Sequence, residues 1–160
     1  MRIEAYMELM DVFRKNYLVH GLPDEVIDEI AKLATFHTAL VGEAIIQKGE
    51  KSSDLLVILD GHVNVMTVKG EKLAEVGAPS VLGEVALVDD QPRSADVVCI
   101  GLVKYAKLPA QDLRRFMANN REFGFLMLAN LARVLSMRLR VASATVEMLS
   151  DKQDPWRFAI

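Results

Sequence analysis

The chain has almost no cysteine, few aromatic residues and no long apolar run. Cys99 is the only cysteine among 160 residues, so no internal disulfide can form and no thiolate cluster exists to hold zinc or iron. A reducing, cytoplasmic setting fits that expectation. The opening stretch, MRIEAYMELMDVFRKNY, is amphipathic and charged, and lacks the uninterrupted apolar segment and small-residue cleavage site of a secretory signal. No window approaches the roughly 20 apolar residues a helix needs to cross a bilayer, so no membrane span is expected. Excess positive charge is missing too: 19 Lys and Arg stand against 22 Asp and Glu, evenly interspersed, for a net charge of -3. Such a chain presents no broad basic face to a phosphate backbone, which argues against direct nucleic-acid binding.

Catalytic constellations are also absent. There is no Gly-x-Ser-x-Gly elbow. The string Lys48-Gly49-Glu50-Lys51-Ser52 falls short of a phosphate loop and, lying in strand-rich sequence, reads as a hairpin turn. His20, His37 and His62 are scattered, with no carboxylate or cysteine at ligand spacing, and read as turn or surface residues. No nucleophile, base and oxyanion donor declare themselves together, so the chain does not read as an enzyme.

What is present separates into three zones by hydrophobic period. From Arg2 to Tyr17, apolar residues at Ile3, Tyr6, Met7, Met10, Phe13 and Tyr17 have helical spacing. After the break at Gly21-Leu22-Pro23-Asp24, the residues Val26, Ile27, Ile30, Ala31 and Leu33 line one face of a second, short helix. Between Thr38 and Lys107 short apolar and alternating runs take over, as in Leu55 to Leu59 and Val63 to Val68, with Asp60-Gly61 and Lys69-Gly70 as hairpin corners. Short strands at regular spacing suggest a small barrel or jelly roll. Beyond Pro109 the pattern is helical to Leu149, with a break at Asn119-Asn120. In the longer helix Leu128, Ala132, Leu135, Leu139, Ala142, Val146 and Leu149 recur at spacings of four and three, a coiled-coil seam that suits either the chain's own barrel or a second copy.

One segment carries the chemistry. In Val81-Leu82-Gly83-Glu84-Val85-Ala86-Leu87-Val88-Asp89-Asp90-Gln91-Pro92-Arg93-Ser94-Ala95, a glycine opens a short apolar turn and an arginine follows a proline. This stretch resembles the phosphate-binding cassette of the cyclic-nucleotide-binding domain family: Gly-Glu, a few apolar residues, a variable loop, then Arg and a small residue. Upstream, Gly42-Glu43, Ile45-Ile46, Lys48-Gly49-Glu50 and Asp54 through Gly61 are similar to that family's first barrel turns. The resemblance runs from about Gly21 to about Leu139.

It implies a mainly β fold with flanking helices: a double-stranded β-helix, or jelly-roll, barrel with N-terminal helices and a long C-terminal helix. The expected organisation is an amphipathic helix over 1-20, a barrel domain over 21-120 with its cassette at 81-97, a lid or dimerisation helix over 121-150, and a tail over 151-160. The implied ligand is cAMP or cGMP, with no other cofactor. Arg93 would clamp the cyclic phosphate with a planar, always-charged fork, Ser94 and Ala95 would lie beside it, and backbone N–H groups from Val85 and Ala86 to Leu87 would point at the same anion. Gly83 lets the backbone approach, and Glu84 would accept from the ribose 2'-hydroxyl. An alternative for Arg93 is a surface ion pair with Asp89 or Asp90. Val65 and Leu73 are either barrel core or walls of a base pocket, and Met137 and Arg138 fall where the family closes over the base. Two positions depart from the pattern: Leu82, where an aromatic is usual, and Asp96, whose carboxylate would oppose a phosphate. The partners implied are the nucleotide, a second copy through the C-terminal helix, and an unspecified downstream protein. Two other readings use the same residues: the sensory part of a transcription regulator resembling the catabolite activator protein, and a barrel that serves as an interaction or dimerisation module without a ligand.

Overall fold

A computed structural model describes residues 3-153, apart from the side chains of Ala86 and of residues 150-153. Helix α1 (Ile3–Arg14) is followed by a 3-10 turn (Tyr17–Val19) and α2 (Asp24–Ala31). Eight strands come next: β1 (Thr35–Ala39), β2 (Ala44–Ile46), β3 (Leu55–Asp60), β4 (His62–Met66), β5 (Lys72–Gly77), β6 (Ser80–Leu82), β7 (Asp96–Cys99) and β8 (Val103–Leu108). The short α3 (Ala86–Asp89) interrupts them between β6 and β7, and α4 (Ala110–Asn119) and α5 (Arg121–Gln153) close the described chain. The sequence break between the last two helices falls at Asn120, as its spacing predicted; its side-chain amide donates to the Phe116 carbonyl at 3.0 Å. The tail residues 154-160, with Pro155, Trp156 and Phe158, lie outside the described residues.

The strands form two antiparallel four-stranded sheets, β1-β8-β3-β6 and β2-β7-β4-β5, the jelly roll anticipated from the strand spacing. Chain neighbours mostly belong to opposite sheets. This corrects two sequence expectations. Asp60-Gly61 is not a hairpin corner, because β3 and β4 lie in different sheets; it is a crossover. Gly61 has φ of 92°, and a Cβ there would strike the Leu102 carbonyl oxygen, so the crossover requires glycine. The Lys48-Gly49-Glu50 turn likewise joins strands of different sheets, whereas Lys69-Gly70 does close a true hairpin between β4 and β5.

Strand β3 explains why the run Leu55-Leu56-Val57-Ile58 is continuously apolar. Leu55 and Val57 enter the core shared with the helices, while Leu56 and Ile58 enter the barrel interior, so both faces are buried. The first core joins α1, the 3-10 turn, α2, α4 and the first turns of α5 through Leu9, Phe13, Leu18, Ile27, Leu113, Met127 and Leu131.

Helix α5 is roughly 50 Å long at 1.5 Å per residue, and its first half packs on the 3-10 turn and α4. Met127 and Leu131 are buried there, with Leu135 partly so. The seam read from the sequence falls on another face: Leu128, Leu139, Val146 and Leu149 are all exposed. Of the stripe only Leu135 packs against the chain's own core, and the rest of its leucines and valine face outward.

Truncating the helix-barrel core should be costly and truncating the barrel surface should not. Leu113→Ala, at a fully buried position, is expected to lower stability by about 2–5 kcal/mol in urea unfolding. Val68→Ala, at a 70% exposed position, should change it by less than about 0.5 kcal/mol.

Candidate functional site

Three polar or charged residues are buried among the described residues, Glu84, Arg93 and Asn130, and two of them belong to the cassette. Burying a charge is costly unless its hydration is replaced, so the surroundings of these two residues define the site.

The cassette leaves β6 at Gly83, whose φ is 83°. A Cβ at Gly83 would occupy the place of the Arg93 guanidinium, so glycine is required both for the backbone angle and for the close approach. The chain then makes the single turn of α3, with Val88 and Asp89 bonding back to the Val85 carbonyl at 3.0 and 3.1 Å. The N–H of Leu87 bonds the Glu84 carbonyl at 3.3 Å and is not available to an anion, contrary to the sequence expectation. Asp90, at φ of 53°, ends this turn.

Arg93 is fixed at its backbone first. Its N–H donates to the Glu50 carbonyl at 2.9 Å, and its carbonyl accepts from the Gly49 N–H at 2.9 Å. The Lys48-Gly49-Glu50 turn is thus the anchor for the arginine. The side chain is 7% exposed and donates to two backbone carbonyls, Gly83 at 3.5 Å and Asp54 at closer range. Its Nε is buried without a partner. Burial lowers its pKa from the ordinary arginine value, against the charges of Glu50, Asp54 and Glu84, and a guanidinium so placed remains charged. The alternative of a surface ion pair is overturned. Asp90 pairs with Arg114 at 3.1 Å, and Asp89 accepts from the Gln91 N–H at 3.1 Å.

Asp54, which sequence reasoning did not single out, orders this corner. One carboxylate oxygen accepts the first N–H of α4, on Ala110, at 3.0 Å, and the other pairs with Lys107 at 3.2 Å. Its backbone carbonyl is thereby held toward Arg93. Asp96 does not oppose the site: its carboxylate accepts from the Lys48 N–H at 2.7 Å.

Glu84 is 3% exposed and is gripped by Arg138 of α5. The Tyr17 hydroxyl, from the 3-10 turn, is buried beside this pair without reaching a partner in hydrogen-bond geometry. Burial, and next the charge of Glu84, push the Tyr17 pKa well above the ordinary tyrosine value, while Arg138 works in the opposite direction.

Glu84, Arg93 and Arg138 line one cleft of about 360 Å³, together with Gly83, Val85, Ser94 and Ala95 of the cassette. Its volume is that of a small-molecule site. Val65 stands in its apolar wall with Ile46, Leu82 and Val97, of which Ile46 and Val97 were not anticipated. Leu73 is 62% exposed on β5 and does not line the cleft. Met137 is 60% exposed and faces a separate surface hollow with Arg133 and Arg140. Ala86 opens α3. A larger cleft, about 710 Å³, lies between α1 and β1, but none of the buried charges reaches it. Among the described residues no group of three His, Cys, Asp or Glu side chains is placed to hold a metal ion.

The jelly roll thus sets a buried guanidinium and a buried carboxylate into one small cleft. The sequence pattern of the cyclic nucleotide-binding domain matches residues 37–120, and the chain belongs to that family. It is 32% identical over 134 residues to Glutaminase 1 of Bradyrhizobium diazoefficiens, across 84% of this chain and 22% of that protein. It is 30% identical over 142 residues to the cyclic AMP receptor protein of Thermus thermophilus, across 85% of this chain and 63% of the relative. A solved cyclic nucleotide-binding domain from Methylobacillus flagellatus matches with a TM-score of 0.76 and 26% identity, over 89% of this chain and 83% of that one. The chain thus spans about a fifth of the length of the glutaminase relatives, at 22% and 21%. No described helix is long and apolar enough to cross a membrane.

The fit between Gly83 and Arg93 can be tested without ligand. Gly70→Ala, where φ is 78° and nothing lies within 4 Å, should cost only backbone strain, about 1 kcal/mol. Gly83→Ala adds displacement of the guanidinium and should cost more in urea unfolding; an equal or smaller loss would contradict the packing described.

Proposed function

We propose that the chain is a regulatory sensor that binds a cyclic nucleotide in the cassette cleft and passes occupancy to α5. One observation carries this reading: Arg93 is a buried, permanent cation held by backbone carbonyls, with no carboxylate among the described residues at ion-pair distance and one N–H unused. Such a group has the charge and fork geometry for a phosphate diester. Ser94 adds a hydroxyl at the cleft wall.

Glu84 completes the ligand's description. Its role is to accept from the ribose 2'-hydroxyl, which distinguishes ribose from deoxyribose. To do so it must share or release Arg138, and that exchange is the route by which ligand reaches α5. The coupling can be no larger than the nucleotide's differential affinity for the two helix positions. Similarity to a cyclic AMP receptor protein supports cAMP as the ligand, with cGMP as the competitor to measure. The exposed apolar stripe of α5 supports a homodimer joined along that helix. The module senses and does not catalyse, and the activity it controls lies in a separate partner protein or domain.

Cyclic nucleotide at about 100 times its dissociation constant should stabilise the protein by about 2.7 kcal/mol, a rise in melting temperature of roughly 5–10 °C. Arg93→Ala should abolish that rise. No rise with either cAMP or cGMP would leave the module an interaction barrel without a nucleotide ligand. Light scattering should return twice the chain mass, and Leu139→Glu with Val146→Glu should return a single chain mass; a monomeric wild type would refute the dimer.

A further inference from the structure

The function proposed above does not use Tyr17. Its side chain packs against the helix-barrel core, yet its hydroxyl is buried close to Glu84 without the geometry of a formed hydrogen bond. A buried hydroxyl left unpaired is costly, so a position of this kind calls for a reason. The carboxylate it lies beside is that of Glu84, whose charge, together with burial, keeps the phenol protonated. Tyr17 is therefore a donor at neutral pH, set beside an acceptor whose carboxylate has about four lone-pair directions. Arg138 takes one of its oxygens.

The turn that carries Tyr17 is bound to the helix that carries Arg138. Asn130 of α5 is buried, and its amide donates to the carbonyls of His20 at 2.8 Å and Leu18 at 3.3 Å, on either side of the end of the 3-10 turn. Arg133 of α5 donates to the Asn130 oxygen at 3.3 Å. Asn16 closes the turn from the other end, accepting from the Leu18 N–H at 2.9 Å. Two donor groups near one buried carboxylate thus sit on segments tied to each other, one turn before the barrel and one long helix after it.

We propose that Tyr17 is a further positioning residue of the site: as Arg138 yields Glu84 to the ribose, the Tyr17 hydroxyl donates to the Glu84 carboxylate and holds it in the orientation that accepts the 2'-hydroxyl. The inference rests on the cyclic-nucleotide reading of the cleft. A buried carboxylate that loses its arginine needs a replacement donor, and Tyr17 supplies one without carrying a second charge into the site. The N-terminal helical layer thereby takes part in recognising ribose.

Tyr17→Phe removes the hydroxyl and keeps the packing. Calorimetry on the full chain with cAMP and 2'-deoxy-cAMP, or the cGMP pair if the wild type takes cGMP, should show about a tenfold loss of affinity for the ribonucleotide. The deoxy analogue should bind as before, so that the preference for ribose shrinks. Equal losses on both ligands, or no loss on either, would overturn the assignment. In the nucleotide-free protein Tyr17→Phe should leave the melting temperature unchanged or higher, because the hydroxyl it removes is unpaired there; a fall of several degrees would show a structural role instead. A wild type that binds neither nucleotide would refute the function itself and this assignment with it, an outcome distinct from a wild type that binds while Tyr17→Phe behaves identically.

Discussion

The buried guanidinium of Arg93 is the constraint around which the site and its corner of the barrel are arranged. A permanent charge with 7% of its surface exposed has lost most of its water, and only oriented dipoles replace it: the carbonyls of Gly83 and Asp54. Each carbonyl needs its own support. Gly83 must take a left-handed backbone with no side chain, and Asp54 must be held by the start of α4 and by Lys107. The turn at Gly49 and Glu50, which follows β2, then pins the arginine's backbone ahead of the paired strand β7. Four segments distant in the chain converge to keep one cation buried, a costly arrangement unless an anion is to be met there.

The second buried charge sets up the opposite situation. Glu84 is balanced by an arginine from α5 that is itself about half exposed, so the pair joins a rigid barrel loop to the midpoint of a long helix. Up to Leu135 that helix is packed on the core; beyond Arg138 its apolar residues face outward. Arg138 therefore sits at the boundary between the anchored and the unanchored halves of α5. The Glu84–Arg138 pair meets the helix where its attachment ends, and Asn130 ties the same helix to the N-terminal turn.

Much of this was legible in the chain. The jelly roll followed from short strands punctuated by glycine, and Gly83, Glu84, Arg93 and Ser94 stood out because their order resembles the family's phosphate-binding cassette. Val65 and Arg138 line the cleft, whereas Leu73 and Met137 do not. The reason is geometric. Leu73 lies at the irregularity where the β4-β5 register shifts between Val65 and Met66, and a local register shift is not visible in a hydrophobic pattern. Met137 is one residue from Arg138, and on a helix adjacent residues point about 100° apart.

Asp54, Tyr17 and the Gly49-Glu50 anchor were beyond the reach of sequence reading because each acts through a partner far away in the chain. Local order is a matter of propensity, period and turn chemistry, all of which are written in neighbouring residues, and these determined the strands, the helices and the cassette. Which face of α5 meets the barrel, which sheet receives the strand after Gly61, and which donors gather on Glu84 are settled by packing between distant segments. Those were decided only when the two sheets closed on each other, because burying a charge requires its partners to be found in space and not in sequence.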